Sequence, residues 1–578
     1  MRLALLPFAL VLSACPPDIP ADAPAEKTEG SGDTLIIGVQ ADVKDFLPVL
    51  YQSSGDGNVV AALNVPLLET DFDCELHFKP AWAKSWTFSE DGRTIRMELD
   101  DRLTWADGTP VTAEDLRFAY ELVADPAVAS PQIENLARVK PGASPRIVGP
   151  TTIEFEFTEA YDRTRMLAHI GKLAAVPKHV LDNPSVDRRS LREHPLDAQT
   201  PMGNGAWKLA SWEKGLRLVL EPNERFSGPD AMRPKLGRVI LEVLPDYAAR
   251  LEALRTGAID LMADVLVTDA DALASRSALG GGADLELRRR GWRTMDYVAW
   301  NEVGRTSAEP SGKPAEGAAH PLFGDREIRR ALAMAIDTDA LIRDLLTSSV
   351  TGEVYGRPAV GTVTPALCGV HNDAIKPIPY GPEDARARLR ELGWADANAD
   401  GWLDKDGLPF RFTLLYNDDN PRRGGAAERV AANLRAVGVD VVLEPLHGAV
   451  FFTRLRTGDY DAALSGWSAS LYVDPSVIWG PDSEFNFTRY RNPEVARLLR
   501  EGLAEPDSAR SAVIWQELQQ IIYEDQPYAF LYWTDEIVAV DKRFLDAKID
   551  VLGAWRDLAS WHVSPGAVRR PIGAVPPR

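Results

Sequence analysis

Between Asp459 and Pro475 the chain reads DYDAALSGWSASLYVDP, and this stretch gathers the residue types best suited to holding a small molecule. Tyr460, Ala462 and Leu464 on one face alternate with Asp461, Ala463 and Ser465 on the other, as in a strand. The alternation breaks at Gly466 into a loop carrying Trp467, Ser468, Ser470, Tyr472 and Asp474. Those side chains offer aromatic faces, neutral hydroxyl groups and one carboxylate. A strand that opens into such a loop suits ligand contact, because open α/β sheets bind beyond the carboxyl ends of their strands. The same Gly-Trp-Ser sequence also fits a strand end that packs one large ring.

Bond-breaking chemistry has no comparable signature. H-E-x-x-H, G-x-S-x-G and a phosphate-cradling Gly-Lys loop are absent, and the 8 histidines are scattered without zinc spacing. Gly280-Gly281-Gly282 reads as a turn with no nucleotide fingerprint around it. The 85 acidic residues could always supply two facing carboxylates, but nothing marks a pair. Asp396, Asn398, Asp400 and Asp404 take the first, third, fifth and ninth places of a calcium loop, with Gly401 at the sixth. Gly407 stands at the twelfth, where a bidentate glutamate belongs, so the segment reads as a solvated turn. No metal, cofactor or catalytic residue is expected.

Periodicity supplies the elements that must position the loop. Phe410–Tyr416, Val439–Leu443 and Tyr460–Ser465 read as strands, with helices at Ala426–Val437 and Ala449–Leu455 between them. This βαβαβ succession predicts a parallel sheet with the Gly466 loop at its carboxyl edge. Upstream, Thr34–Val39 is a buried-strand run and Asn58–Leu68 has helical spacing. Trp86–Phe88 and Ile95–Leu99 form a hairpin about Asp91-Gly92. A helix start follows, with Thr112 as cap and Asp115 at its third position. Pro201–Gly205 reads as a tight turn into strand Ala206–Trp212. Val239–Leu244, Tyr247–Arg255 and Ile259–Met262 make a second βαβ unit, and Leu285–Asn301 is extended. Residues 305–320 read as a polar surface insertion.

A chain of 578 residues exceeds one ordinary core and suggests roughly three or four domain-sized units. Its net charge of −21 argues against nucleic acid, whose phosphates demand a basic face. Arg2 followed by the apolar run Leu3–Leu12 has the length of a signal-peptide core and is too short to span a bilayer. Leu12-Ser13-Ala14-Cys15 resembles the lipobox of bacterial lipoproteins, which implies cleavage before Cys15 and a lipid on its sulfur. Residues 16–32 then form a proline-rich tether. Cys74 and Cys368 remain, an even pair compatible with a disulfide in an exported protein, although sequence does not show how closely they approach.

Five segments carry a family resemblance. Residues 86–120 contain Trp86-Thr87-Phe88-Ser89-Glu90-Asp91-Gly92 and Trp105-Ala106-Asp107-Gly108-Thr109-Pro110-Val111-Thr112-Ala113-Glu114-Asp115. Met202–Leu209 with Leu220-Glu221-Pro222-Asn223, then Ala249–Asp260, then Asp325–Asp337, then Asp459–Pro475 follow in order. Together they resemble the bacterial extracellular solute-binding proteins of the peptide and nickel class, family 5, over nearly the whole mature chain.

The resemblance implies an α/β periplasmic-binding-protein clamshell of class II type, with two large α/β lobes and a smaller inserted α+β lobe. The expected division is a signal peptide at 1–15, a tether at 16–32, and a first lobe at 33–69 and 199–304. The small lobe occupies 70–198, a third lobe 305–525, and residues 526–578 return to the first lobe and end in a tail. Such a protein captures a peptide or peptide-like solute between hinged lobes and delivers it to an ABC permease. It is expected to be monomeric, lipid-anchored and periplasmic or extracytoplasmic.

Thr294 and Tyr297, by family position, and Trp467, Ser468, Tyr472 and Asn486 are the implied cleft liners, with Ser53, Ser54 and Trp292 beside them. Peptide-binding members place an aspartate three residues past the tryptophan, where it pairs with the ligand's α-amino group. Ser470 stands there, and Leu455 and Leu464 fall near positions that carry basic residues in some oligopeptide binders. A hydroxyl does not replace a charge-assisted pair. Asp474 is the alternative carboxylate if the loop is shifted. An oligosaccharide ligand, or a hydrolase or sensor built on the same cleft, are the competing readings.

Overall fold

The computed structural model describes residues 33–564 apart from 137, 141, 143–144, 279–283, 305–317 and 419. Cys15, the tether, the triple-glycine turn and most of the 305–320 insertion therefore lie outside the described residues.

A single mixed sheet runs through the molecule. Its order is Asp440–Leu446, Arg411–Asn417, Ala462–Ser468, Leu285–Trp300, Tyr528–Asp541, Leu261–Val265, Thr34–Val39, Arg238–Val243, Arg217–Pro222 and Trp207–Glu213. Gly356–Pro358 adds to it alongside Tyr528–Asp541. Two long strands, Leu285–Trp300 and Tyr528–Asp541, belong to both halves and run antiparallel, with Leu285 opposite Asp541 and Ala299 opposite Tyr528. Their register shifts between Arg290 and Thr294, and again between Asp296 and Tyr297, in the part of the ladder that passes from one lobe to the other.

Each lobe follows the parallel βα logic. Thr34–Val39 lies between Arg238–Val243 and Leu261–Val265 and runs parallel to both. Helix Tyr247–Thr256 makes the crossover, capped where Asp246 Oδ1 accepts the Ala249 N–H at 2.8 Å. Alternate strand residues feed cores on opposite faces: Leu35 and Ile37 on one side, Ile36 with Leu254 and Ile259 on the other. In the second lobe Arg411–Asn417 runs parallel to Asp440–Leu446 and to Ala462–Ser468. Ala462 and Leu464 pack with Val430 and Leu434, while Ala463 packs with Phe451 and Trp515. Burial on both faces is why Thr34–Val39 reads as an apolar run, and the alternation read at Tyr460–Ser465 proves to have Ala463 and Ser465 buried on its second face as well.

Between the first-lobe strands, Ala83–Phe88, Thr94–Leu99, Thr152–Glu156 and Arg146–Gly149 form a separate antiparallel sheet. Phe118 and Leu122 of helix Ala113–Ala124 share its core with Ile95, Met97 and Phe155. Asp115 Oδ2 accepts the Thr112 N–H at 2.8 Å at the start of that helix, as the sequence predicts.

Four local readings are corrected. The helix expected at Asn58–Leu68 is Ser54–Leu63, begun by a capping box in which Ser53 Oγ accepts the Asp56 N–H at 3.0 Å; Gly55 and Gly57 conceal it from a periodicity argument. The helix expected at Ala426–Val437 is Pro421–Ala436, started by the Asn420 cap and Pro421 ahead of Gly424 and Gly425. The strand expected to end at Ser465 continues to Ser468, with Gly466 inside it opposite Asp296. A Cβ at Gly466 would overlap Arg423 and Asp296, so this glycine serves a close approach and not a turn. The same holds at Gly205, whose N–H donates to Leu63 O at 2.8 Å and where a Cβ would meet the Leu63 backbone.

In the acidic turn, Asp396 accepts the N–H groups of Asp400 and Gly401, each at 3.0 Å, so its carboxylate shapes the turn itself. Among the described residues no cluster of His, Cys, Asp or Glu is arranged to hold a metal ion, and no helix is long and apolar enough to cross a membrane.

Candidate ligand-binding cleft

The first register shift between the two long strands positions Arg293. Its Nε donates to Ala469 O at 3.1 Å and its Nη1 to Val551 O at 3.2 Å, while the Ala469 N–H donates back to Arg293 O at 2.7 Å. One side chain thus joins the loop that follows Ala462–Ser468 to the turn between strands Lys548–Asp550 and Gly553–Arg556.

A cavity of about 430 Å³ opens where these segments meet. Its walls come from helix Ser54–Leu63, the hairpin Leu68–Asp73/Glu75–Pro80, the segment 168–174, Arg293, the loop Ser470–Tyr472 and the C-terminal return. Pockets for small molecules span roughly 300–1,000 Å³, so this one is at the compact end. Leu76, Ala168 and Leu471 meet there as a small apolar cluster drawn from both lobes.

Eight charged side chains line the cavity, and five of them, three cations and two carboxylates, are ion-paired with one another. Lys79 pairs with Asp71 at 2.5 Å, Arg556 with Asp71 at 3.3 Å, and Lys548 with Asp557 at 2.8 Å. The other three, Glu69, Lys172 and Arg293, have no ion-pair partner among the described residues. Burial, and then Asp557, raises the Glu69 pKa against the opposing pull of Lys548, Lys79 and Arg556. Burial, and then Arg293, lowers that of Lys172, although its side chain still reaches the water of the cleft.

The side chains singled out in the sequence are distributed unevenly around this space. Ser54, Ser470 and Tyr472 line it, and Ser470 Oγ accepts the Tyr472 N–H at 3.3 Å. Thr294 and Ser468 face each other in the ladder outside the cavity lining. Tyr297 is buried and stacked on Tyr528 with ring centroids 3.9 Å apart. Trp467 stacks between Tyr297 and Phe487, at 6.3 Å and 5.5 Å, and its Nε1–H donates to Tyr528 OH at 3.2 Å. Asn486 closes its own turn through Tyr490, donating to O at 2.9 Å and accepting N–H at 3.1 Å. Asp474 accepts the Ser476 N–H at 3.1 Å and lies 3.9 Å from Arg138. The Trp292 side chain lies outside the described residues.

Glu69, Lys172 and Arg293 escape a reading of the sequence by motif. Lys172 did leave a signal: between Leu167 and Pro177 it is the single lysine or arginine in an apolar run. Glu69 sits among other acids, and nothing local distinguishes it.

The two lobes also touch directly beside the cavity. Arg165 donates Nη1 to Leu503 O and Nη2 to Val473 O, each at 3.0 Å, and Cys74 is bonded to Cys368 with their Cα atoms 5.1 Å apart. His169 is buried against the Tyr472 ring, 5.7 Å between centroids. Burial drops its pKa to about 4, with Asp474 opposing and Arg165, Arg138 and Lys172 reinforcing. A histidine pKa depressed in the folded state gives stability that is whole above the unfolded value near 6.5 and is lost as pH falls toward the folded one. Between pH 6.5 and 4, wild-type protein is therefore expected to lose about 2–3 kcal/mol more than His169→Phe. Urea unfolding of both proteins at the two pH values measures the difference, and equal losses would remove His169 from the acid response.

Comparison with known proteins agrees with this architecture. Residues 77–488 match the model of bacterial extracellular solute-binding proteins, family 5 Middle. The oligopeptide-binding protein AppA of Bacillus subtilis (strain 168) is 26% identical over 550 residues, covering 93% of this chain and 94% of the relative. The probable D,D-dipeptide-binding periplasmic protein DdpA of Escherichia coli (strain K12) is 25% identical over 536 residues, covering 88% and 90%. In fold, the chain is similar to the solved structure of Bacillus subtilis AppA in complex with a nonapeptide, with a TM-score of 0.74, 24% identity, and 92% and 99% of the two chains covered. NikZ from Campylobacter jejuni in complex with Ni(L-His) is similar at a TM-score of 0.73, 22% identity, and 92% and 99% coverage. With the family model matching most of its length, the chain belongs to the bacterial extracellular solute-binding proteins, family 5.

Proposed function

We propose that this chain is the solute-binding component of an ATP-driven importer, that it captures a peptide or peptide-like solute in the 430 Å³ cleft, and that it presents the closed complex to a membrane permease. The carrying observation is a cavity walled by both lobes at the point where the two long strands lose register. An irregularity in the shared ladder is a place where a hinge can rotate at reduced cost, because the regular strand pairing is already interrupted there. Relatives described as oligopeptide- and dipeptide-binding support a peptide as the solute. The oligosaccharide reading drew on the Trp- and Ser-rich loop, and the Trp467 ring is already stacked between Tyr297 and Phe487.

The division into a first lobe, an inserted small lobe and a third lobe belongs to the same proposal, supported by the separate antiparallel sheet and the two-sided cores. So do a lipid on Cys15, which several acyl chains at about 0.8 kcal/mol per buried methylene would make a lasting anchor, and a monomeric state. Native mass spectrometry of the protein as isolated from its host tests the central point. Peptide masses released on unfolding are expected; release of glycans, or sustained hydrolysis of an added peptide, would overturn it.

A further inference from the structure

We infer that Glu69 receives the ligand's amine and that Lys172 and Arg293 receive its anionic end, so that the solute is a short peptide or peptide-like molecule with both charges free. The inference rests on the proposed peptide function and assigns that site its charge pattern. It starts from the inventory of the cleft: every other charged liner is already paired across the hairpin and the C-terminal return. Glu69 and Arg293 are half-buried, and a carboxylate and a guanidinium left there without opposite charge are costly unless something else supplies it, while Lys172 adds a second cation at the water-facing side of the cleft. A ligand with one amine and one carboxylate supplies both.

The placement of Glu69 adds a second observation. It lines the 430 Å³ cavity and also a recess of about 110 Å³ walled by Ala62, Ala206, Trp207, Met232 and Trp555, with the ion-paired Arg556 and Asp557 shared between the two spaces. Asn58, Ala61 and Asn64 border both spaces, so the two share a wall at Glu69. An amine held at Glu69 puts the first side chain of a peptide at the mouth of a largely apolar recess, which favours a small or medium apolar residue there. The volume of the main cavity and the anionic contact at Lys172 and Arg293 then limit the length. Arg293 also ties Ser470 and its neighbours to the C-terminal return through Ala469 and Val551, so an anion at its guanidinium is bound at the junction of the two lobes. Carboxylate and guanidinium form charge-assisted pairs stronger than the neutral contacts Ser470 could offer.

The test uses the intact protein and three tripeptide pools: every natural first residue followed by two alanines, the same pool N-acetylated, and the same pool C-amidated. Isothermal titration of each pool, with mass spectrometry of what is retained, is expected to show binding of the free pool with apolar first residues enriched. Acetylation and amidation are each expected to weaken it at least 30-fold. Glu69→Gln is expected to abolish the preference for a free amine, and Lys172→Met the preference for a free carboxylate, with thermal unfolding unchanged in both. If the three pools bind wild-type protein equally, the charge assignment is wrong while the peptide function stands. If no pool binds but another solute class does, the peptide function itself falls, and this inference with it. The comparison of pools on wild-type protein decides the matter even if a variant fails to fold.

Discussion

Asp296→Ala is expected to destabilise the protein by about 3–5 kcal/mol, the range for stripping one partner from a buried ion pair. Asp296 is fully buried on the crossing strand Leu285–Trp300, with Arg422 at 2.8 Å and Arg423 at 3.1 Å. Burial alone would raise its carboxyl, but the two guanidinium groups more than offset that and hold its pKa below the ordinary value. Arg423 continues to Asn417 Oδ1 at 2.9 Å, so the cluster fastens the first turn of helix Pro421–Ala436 to the end of strand Arg411–Asn417 and to the crossing strand. Gly466 leaves the space for it, and Gly466→Ala is expected to cost about 1–3 kcal/mol by overpacking the same point. A carboxylate with a depressed folded pKa gives stability that is present above the unfolded value near 3.9 and lost as pH falls through the folded one. The gap between wild type and Asp296→Ala should therefore be full at pH 7 and close below about pH 4. Urea unfolding across that range measures both, and a gap that persists unchanged into acid would show that charge is not what the pair contributes.

Much of the scaffold around this cluster was legible because its physics is local. Thr34–Val39 is covered on both faces, so its residues are apolar in a run, and the helices between parallel strands carry ordinary caps. Glycine misled where it serves packing: Gly466 looked like the end of a strand because a sequence cannot show Arg423 and Asp296 pressing on it. The loop after that strand was recognised, and Ser470 and Tyr472 do face the cavity. Trp467 could be read as platform or as core from its neighbours in sequence, and only the positions of Tyr297 and Phe487 decide between them. The charges of the cleft were illegible for a different reason. Whether Glu69 is free depends on Asp71 having taken both Lys79 and Arg556, and on Asp557 having taken Lys548. Those are subtractions made in three dimensions, between segments nearly 500 residues apart.

Breaking the Cys74–Cys368 bond is expected to lower unfolding stability by about 2–4 kcal/mol and to speed the release of a bound peptide. Cys74 forms the turn of the hairpin Leu68–Asp73/Glu75–Pro80, whose inner face lines the cavity. Cys368 sits on a segment held to the second lobe, where Val370 packs with its core and the Asn372 N–H donates to Gln519 Oε1 at 3.1 Å. The bond therefore ties the hairpin that lines the cleft to the second lobe. It joins residues 294 positions apart, so it removes freedom from a very long loop of the unfolded chain. In the folded protein it has a second effect: any hinge motion must pivot while these two Cα atoms stay close. Opening is then restricted to the side away from the hairpin, and escape of a solute bound against that hairpin is expected to slow. In the Cys74→Ser/Cys368→Ser variant the hinge is free of that restraint, and the dissociation rate of a bound tripeptide should rise more than its association rate. Stopped-flow displacement on the variant and on wild-type protein with and without reductant measures both rates. Unchanged dissociation on reduction would mean that the lobes separate without disturbing the hairpin, and the bond would then act on stability alone.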